Sequence, residues 1–198
     1  MAKAPVAGSV KRRLARDIGE VAAIRFYRST LARTVLSLGN DPRWRTYLAV
    51  TPDTALTAPY WPPSRNVARI AQGDGDLGQR MQALFERMPP GPVIIVGSDI
   101  PAMRPCHIAS AFKLLGRSDA VFGPAHDGGY WLVGLKRSPR CLQPFRGVPW
   151  STEAALAATL ANLRGKIVAF APQLSDVDTK EDYRRERKSA ARLITSCA

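Results

Sequence analysis

The sequence predicts an α/β domain built on a mostly parallel sheet with helices on both faces. Short apolar runs rich in Val, Ile and aromatic residues recur along the 198 residues, and they alternate with longer stretches of helical periodicity. The run Pro92-Val-Ile-Ile-Val96 is apolar almost throughout, as a strand buried on both faces is. Strands joined by crossover helices are the pattern that builds parallel-rich sheets. The length suits one domain over residues 1–198, large enough to bury a sizeable core.

In chain order, a helical span over Val10–Leu38, broken near Gly19, precedes a strand at Thr46–Val50. The loop Thr51–Asn66 carries Pro52, Pro59, Pro62 and Pro63, which exclude a helix or a central strand. Further strands are expected at Val67–Ala71, Val93–Val96, Ala120–Phe122, Tyr130–Leu135 and Lys166–Phe170. Helices are expected at Leu77–Met88, Pro105–Leu115, Thr152–Leu163 and Thr179–Ile194.

Composition narrows the function classes. The chain is 45% hydrophobic, which excludes a disordered polymer, and no apolar run reaches the roughly 18 residues of a membrane span. Cys106, Cys141 and Cys197 form no C-x-x-C pair, so neither zinc nor a disulfide framework is expected. No apolar stretch follows Lys3 as a secretory signal requires, and the cytoplasm is the expected location. The net charge of +13 favours anionic partners. Most of the base is Arg, however, as a GC-rich genome also produces. Arg184, Arg185, Arg187, Lys188 and Arg192 would lie on the last helix. No nucleic-acid motif accompanies them, so they read as a solvated face and no nucleic-acid partner is expected.

Parallel sheets bind ligands at the carboxyl ends of their strands, and five segments supply chemistry there. In Lys3-Ala-Pro5-Val-Ala-Gly8-Ser-Val-Lys11-Arg12-Arg13 a loop enters a helix rich in cations. It is either a phosphate cradle or a basic helix start facing solvent. Gln72-Gly-Asp74-Gly-Asp76 follows a strand; Asp76 reads as a helix cap and Gln72 as the residue to touch a base or sugar. No Glu stands at the offset that a calcium loop needs. Asp99 leaves the end of the most apolar strand in Gly97-Ser98-Asp99. It lies too early to cap the helix at Pro105, and it suits a hard divalent cation that bridges phosphates. His126-Asp127-Gly128-Gly129-Tyr130 is either a hairpin tip or part of the site. In Asp176-Val-Asp178-Thr179-Lys-Glu-Asp182, Thr179 and Asp182 read as a capping box. Asp176 and Asp178 would face the same way on extended chain and could share a cation with Asp99.

Taken in order, these segments, with Trp150-Ser-Thr152 between the last two, resemble an uncharacterised bacterial family of GT-A-like transferases. That family is related to phospholactate and molybdenum-cofactor guanylyltransferases, and is associated with radical-SAM proteins and arsenosugar biosynthesis. The resemblance implies a GT-A, nucleotide-diphospho-sugar transferase fold. It also implies a Mg2+ (or Mn2+) dependent transferase with a nucleotide or nucleotide-sugar donor and a small-molecule acceptor. Glycosyl transfer from an NDP-sugar is the leading expectation; nucleotidyl transfer from an NTP and a non-catalytic binding relative are the alternatives. Carried onto this chain, Lys3, Pro5, Gly8, Lys11, Arg13 and Gln72 would bind the nucleotide, and Asp99, Asp176 and Asp178 would hold the metal. Asp99 and Asp127 would be catalytic, with Gly128, Gly129 and Tyr130 lining the acceptor side. Where the family reads Lys-Thr-Arg-Leu this chain has Lys11-Arg12-Arg13-Leu14, which keeps the cations and loses a hydroxyl. The family also opens with an apolar strand ahead of its Lys-x-Pro motif. Here Met1 stands almost on that motif, so the first strand is expected to be missing.

Overall fold

The computed structural model describes residues 1–137 and 141–186. In chain order the elements are β1 (Ala2–Lys3), α1 (Arg12–Ile18), α2 (Glu20–Gly39), β2 (Tyr47–Thr51), β3 (Ala68–Ala71), α3 (Leu77–Arg87), β4 (Gly91–Val96), α4 (Pro105–Gly116), β5 (Ala120–Pro124), β6 (Tyr130–Arg137), α5 (Ala155–Ala161) and β7 (Val168–Phe170). Residues 180–186 are also helical. The rest of the expected last helix, with Arg187, Lys188 and Arg192, lies outside the described residues, as does Cys197 beyond it.

The strands form two sheets, β1-β2-β3 and β4-β6-β5-β7. The first is parallel throughout, with Ala2 opposite Val50 and Tyr47 opposite Ala68. In the second, β7 runs parallel to β5, whereas β6 is antiparallel to both β4 and β5. The expected parallel sheet therefore carries one reversed strand at its middle. The short Asp127-Gly-Gly turn leaves no room for a crossover helix, so β6 must run back beside β5.

Apolar alternation puts helices on both faces of the second sheet. Val121 packs towards α4 with Ile108, Ala111 and Leu115, whereas its neighbours Ala120 and Phe122 face Met81, Phe85 and Leu163. The first sheet is covered by α2 through Tyr27, Leu31 and Val35 against Leu48 and Val50.

Several boundaries differ from the sequence reading, and three of the differences have a clear local reason. The first strand, expected to be missing, is reduced to the two residues Ala2–Lys3. Ala4 N–H extends its pairing to Thr51 O (2.7 Å), and Pro5, without an N–H, ends it. The edges of the two sheets meet where the Met1 amino group donates to Val96 O at 2.7 Å. Beyond that bond a cavity of about 580 Å³ separates Tyr47 and Ala49 from Pro92–Val96. The first helix begins at Arg12, not Val10, because Lys11 holds a left-handed backbone (φ 48°, ψ 42°). It breaks as expected at Gly19 (φ 87°). The helix expected at Thr152 begins at Ala155, because Thr152 Oγ1 donates to Pro149 O and accepts from Ala154 N–H, a local turn that competes with helix. The proline-rich loop contains one 3-10 turn, Asp53–Ala55.

Gly128 ties the β5–β6 turn to α5. Its carbonyl accepts from Leu156 N–H at 3.0 Å, its φ is +81°, and a Cβ there would collide with the Glu153 backbone. Gly128→Ala is therefore expected to destabilise the fold by more than about 2 kcal/mol, combining backbone strain with overpacking. Denaturant unfolding measures this directly.

Candidate functional site

The carboxyl ends of β1 to β4 open into one cavity of about 560 Å³, lined by Lys3, Thr51, Gln72 and Gly97–Asp99. The far wall is formed by Asp127, Gly129 and Tyr130 from the β5–β6 turn, by Trp150, and by Asp176 and Asp178. The structure thus gathers Lys3, Lys11, Gln72, Asp99, Asp127, Gly129, Tyr130, Asp176 and Asp178 around one space. Pro5, Gly8, Arg13 and Gly128 do not line it. Pro5 O accepts from the Arg28 guanidinium (2.9 and 3.2 Å), Gly8 supplies a turn at φ +72°, and Arg13 is exposed.

At the centre of the charged wall stands Lys11. Its ammonium lies 2.7 Å from Asp99 Oδ2, 2.7 Å from Asp178 Oδ1 and 3.5 Å from Asp176 Oδ2. The lysine side chain is only 4% exposed, against 31–43% for the three carboxylates. Burial opposes its charge, but Asp99 and Asp178 outweigh that and hold the ammonium above the ordinary lysine range. Burial pushes the Asp176 carboxyl up to about 6; Lys11 works against the rise, and repulsion from Asp178 and Asp99 adds to it.

The two later aspartates arrive through packing. After β7 the chain is tied to β5 and its turn by Ala171 N–H to Phe122 O (2.8 Å) and Leu174 N–H to Pro124 O (3.2 Å). Val177 is 3% exposed and packs on Leu14 and Ala23, so its neighbours Asp176 and Asp178 turn the other way, towards Lys11. Asp182 accepts from Thr179 N–H (3.0 Å) while Thr179 Oγ1 accepts from Asp182 N–H (3.2 Å), the reciprocal cap read from the sequence. Asp76 and Gln79 make the same box at α3.

Other side chains have structural uses. The Gln72 amide is 3% exposed and donates to Ala2 O (3.0 Å) and Ala49 O (2.9 Å), so its NH2 binds β1 to β2. Asp127 Oδ1 accepts from Gly129 N–H at 3.0 Å. Burial pushes the Tyr130 hydroxyl up in pKa, with Thr159 opposing, so it stays protonated. His126 Nδ1 lies 3.1 Å from Gln173 Nε2.

Two residues at the site had no role in the sequence reading. Arg80 lines the cavity and gives one bond to Thr51 Oγ1 (3.3 Å). Its Nε is buried without a partner, and among the described residues no carboxylate pairs with it. The available signal was its place one turn past the Asp76 cap, from which a helical side chain leans back over the strand ends. Tyr27 is the other. Its hydroxyl donates to Lys3 O (2.9 Å), accepts from Lys3 N–H (3.1 Å) and meets Ser98 Oγ (3.2 Å).

Residues 34–152 match the family model DUF2064, described as "Uncharacterized protein conserved in bacteria". No curated protein matches the chain. Among solved structures, the chain is similar to a "putative nucleotide-diphospho-sugar transferase" from Desulfovibrio desulfuricans G20. The identity is 29% and the TM-score 0.78, over 90% of this chain and 80% of that one. It is similar in fold alone to a homolog of Mycobacterium tuberculosis Rv0371c from Mycobacterium sp. strain JC1. There the identity is 16% and the TM-score 0.54, over 83% of this chain and 84% of that one. The α/β fold read from the sequence is the fold of these neighbours. No helix among the described residues is long and apolar enough to cross a membrane.

Tyr27→Phe leaves the Lys3 amide, the Lys3 carbonyl and the Ser98 hydroxyl without their shared partner. The variant is expected to lose about 1–3 kcal/mol of stability, the cost of stranding buried polar groups. Equilibrium unfolding beside wild type reads the loss.

Proposed function

The chain belongs to the DUF2064 family, and we propose that it is a metal-assisted transferase that passes a glycosyl group from an NDP-sugar to a small-molecule acceptor. The likeness to the Desulfovibrio protein supports a nucleotide-sugar donor. The resemblance to transferases associated with radical-SAM proteins and arsenosugar biosynthesis supports a small-molecule acceptor, and the cytoplasm is the proposed place of work.

One observation carries the reading: Asp99, Asp176 and Asp178 converge from distant parts of the chain at the strand ends, with ligand oxygens all within 4.8 Å of one another. Hard oxygen donors of this kind suit Mg2+ or Mn2+. The site also already gathers around a cation, the Lys11 ammonium, so its charge fits a metal. An ion held by these three residues would neutralise charge on the leaving diphosphate.

The chain's own groups do the rest. Arg80 and Lys3 line the cavity as cations for the donor phosphates. Asp127, with one oxygen held by Gly129 N–H, presents the other to an acceptor hydroxyl and takes its proton as the new bond forms at the sugar's anomeric carbon. The bond from that carbon to the phosphate oxygen breaks, and the nucleoside diphosphate leaves. Gly129 and Tyr130 shape the acceptor side.

A thermal-shift screen of NDP-sugars and NTPs with and without Mg2+ tests the reading, since a ligand of the native state raises the melting temperature. Product analysis follows: a released nucleoside diphosphate supports glycosyl transfer, whereas released pyrophosphate replaces it with nucleotidyl transfer.

Mg2+ is expected to strengthen nucleotide binding in wild type and to have no effect in Asp99→Asn; calorimetry of both proteins checks this. Arg80→Met is expected to weaken nucleotide binding by about 1.5–3 kcal/mol, the range for hydrogen bonds to charged groups, with little change in melting temperature. The Mg2+ effect should fade as pH falls through about 6, where a proton takes the Asp176 carboxylate. The stability of the metal-free fold moves the other way. The folded value lies above the ordinary 3.8, so Asp176 makes the fold less stable as pH rises from 3.8 to about 6.

A further inference from the structure

The position of Lys11 bears on how the proposed site is loaded. Its ammonium lies within hydrogen-bond distance of Asp99 and Asp178 and within salt-bridge distance of Asp176. A divalent ion bound by these residues would stand about 2.1 Å from the same oxygens. Ammonium and metal would then compete for the same lone pairs, and two cations so close would repel strongly. The two occupants exclude one another. The lysine is also well placed to leave. It caps α1 at the end of the loop from Ala4 to Val10, in a left-handed backbone that few non-glycine residues adopt. Its carbonyl accepts from Ala15 N–H at 2.8 Å and stays with the helix, while rotation about the side chain's own torsions re-aims the ammonium.

We propose that Lys11 is an exchangeable counter-ion: it holds the three carboxylates together in the resting protein, yields them to a divalent cation, and passes to the donor's phosphate oxygens. Charge supports this order. Three carboxylates and one ammonium leave the cluster at about −2. Replacing the ammonium by a divalent ion leaves about −1 and frees a cation that has lost its partners. A diphosphate in the same cavity supplies new ones. Metal alone must displace an internal ion pair, and diphosphate alone meets a lysine already engaged, so each binds weakly. Together they bind well, which is a positive coupling between ligands. The exchange rests on the metal-assisted reading and deepens it: Lys11 sets the order of loading.

Mn2+ binding measured by the loss of the free-ion electron paramagnetic resonance signal, without nucleotide, tests the exchange. Lys11→Met removes the competitor while keeping the length and apolar stem of the side chain. It is expected to bind Mn2+ at least about tenfold more tightly than wild type, within the usual range of coupling between sites. Damage to the fold would weaken binding rather than tighten it. Adding Asp99→Asn to Lys11→Met should abolish the gain. In wild type, amine-selective labelling followed by mass spectrometry should find Lys11 protected without metal and reactive at saturating Mg2+. Inorganic pyrophosphate added with the Mg2+ should restore protection. This second measurement needs no variant, so it decides the matter even if Lys11→Met fails to fold. Equal Mn2+ affinity in the two proteins, or a Lys11 that stays protected at saturating Mg2+, overturns the exchange. If nucleotide then still binds without metal, Lys11 is a permanent substitute for the ion, and transfer from a nucleotide-activated donor survives while its metal assistance fails. If wild type binds neither Mn2+ nor nucleotide under any condition, the transferase reading and the exchange fail together.

Discussion

Three carboxylates brought to one point need a cation among them, and that requirement organises the site. Two unit charges 4 Å apart repel by about 4 kcal/mol at the effective dielectric of a protein surface. Three such aspartates would therefore push residues 174–178 away from β4. The apolar contact that draws this segment in, Val177 on Leu14 and Ala23, is worth about 1.5–3 kcal/mol per buried side chain. That attraction alone does not offset the repulsion. The Lys11 ammonium reverses its sign, and the other local features follow. The left-handed turn at residue 11 aims the side chain inward, and α1 starts late. Leu14, one helical turn on, lies on the same face. The start of α1 thus provides both halves of the contact, the ionic one from its N-cap Lys11 and the apolar one from Leu14.

The sequence revealed the elements but not how the chain is threaded through them. Hydrophobic period marks β2 to β7 to within two residues, because half-buried and fully buried strands leave distinct patterns. The same period is silent on direction, and the reversal of β6 was legible only in the shortness of the Asp127–Gly129 turn. The capping boxes at Asp76 and Thr179 were readable because both partners lie within one helical turn. The same holds for Asp176 and Asp178, which share a face through alternation alone.

Polar residues whose partners lie far along the chain were less legible. Gln72 has the composition of a ligand residue, yet its NH2 is taken up by Ala2 O and Ala49 O, 70 and 23 residues away. Lys11 sits in a cationic run that looks like a phosphate cradle, and its partners lie 88 to 167 residues on. Arg80 and Tyr27 belong to helices whose sequence gives each a face but not a neighbour. Local pattern specifies which way a side chain points, and only the packed fold specifies what it meets.

The cavity draws on both sheets, and that explains why so much hydrogen bonding is concentrated where they join. Lys3, Thr51 and Gln72 come from the β1–β3 side; Asp99, Asp127 and Tyr130 come from the β4–β7 side. Strand pairing does not run from one sheet to the other. The Tyr27 hydroxyl links Lys3 to Ser98, the Met1 amino group reaches Val96, and Lys11 bridges from the first loop to Asp99. These few polar contacts fix the distance between the cations of one side and the carboxylates of the other. A ligand that touches both sides adds a further bridge across the same seam. Binding and the joining of the two sheets are therefore linked through shared residues, and Lys11 belongs to both.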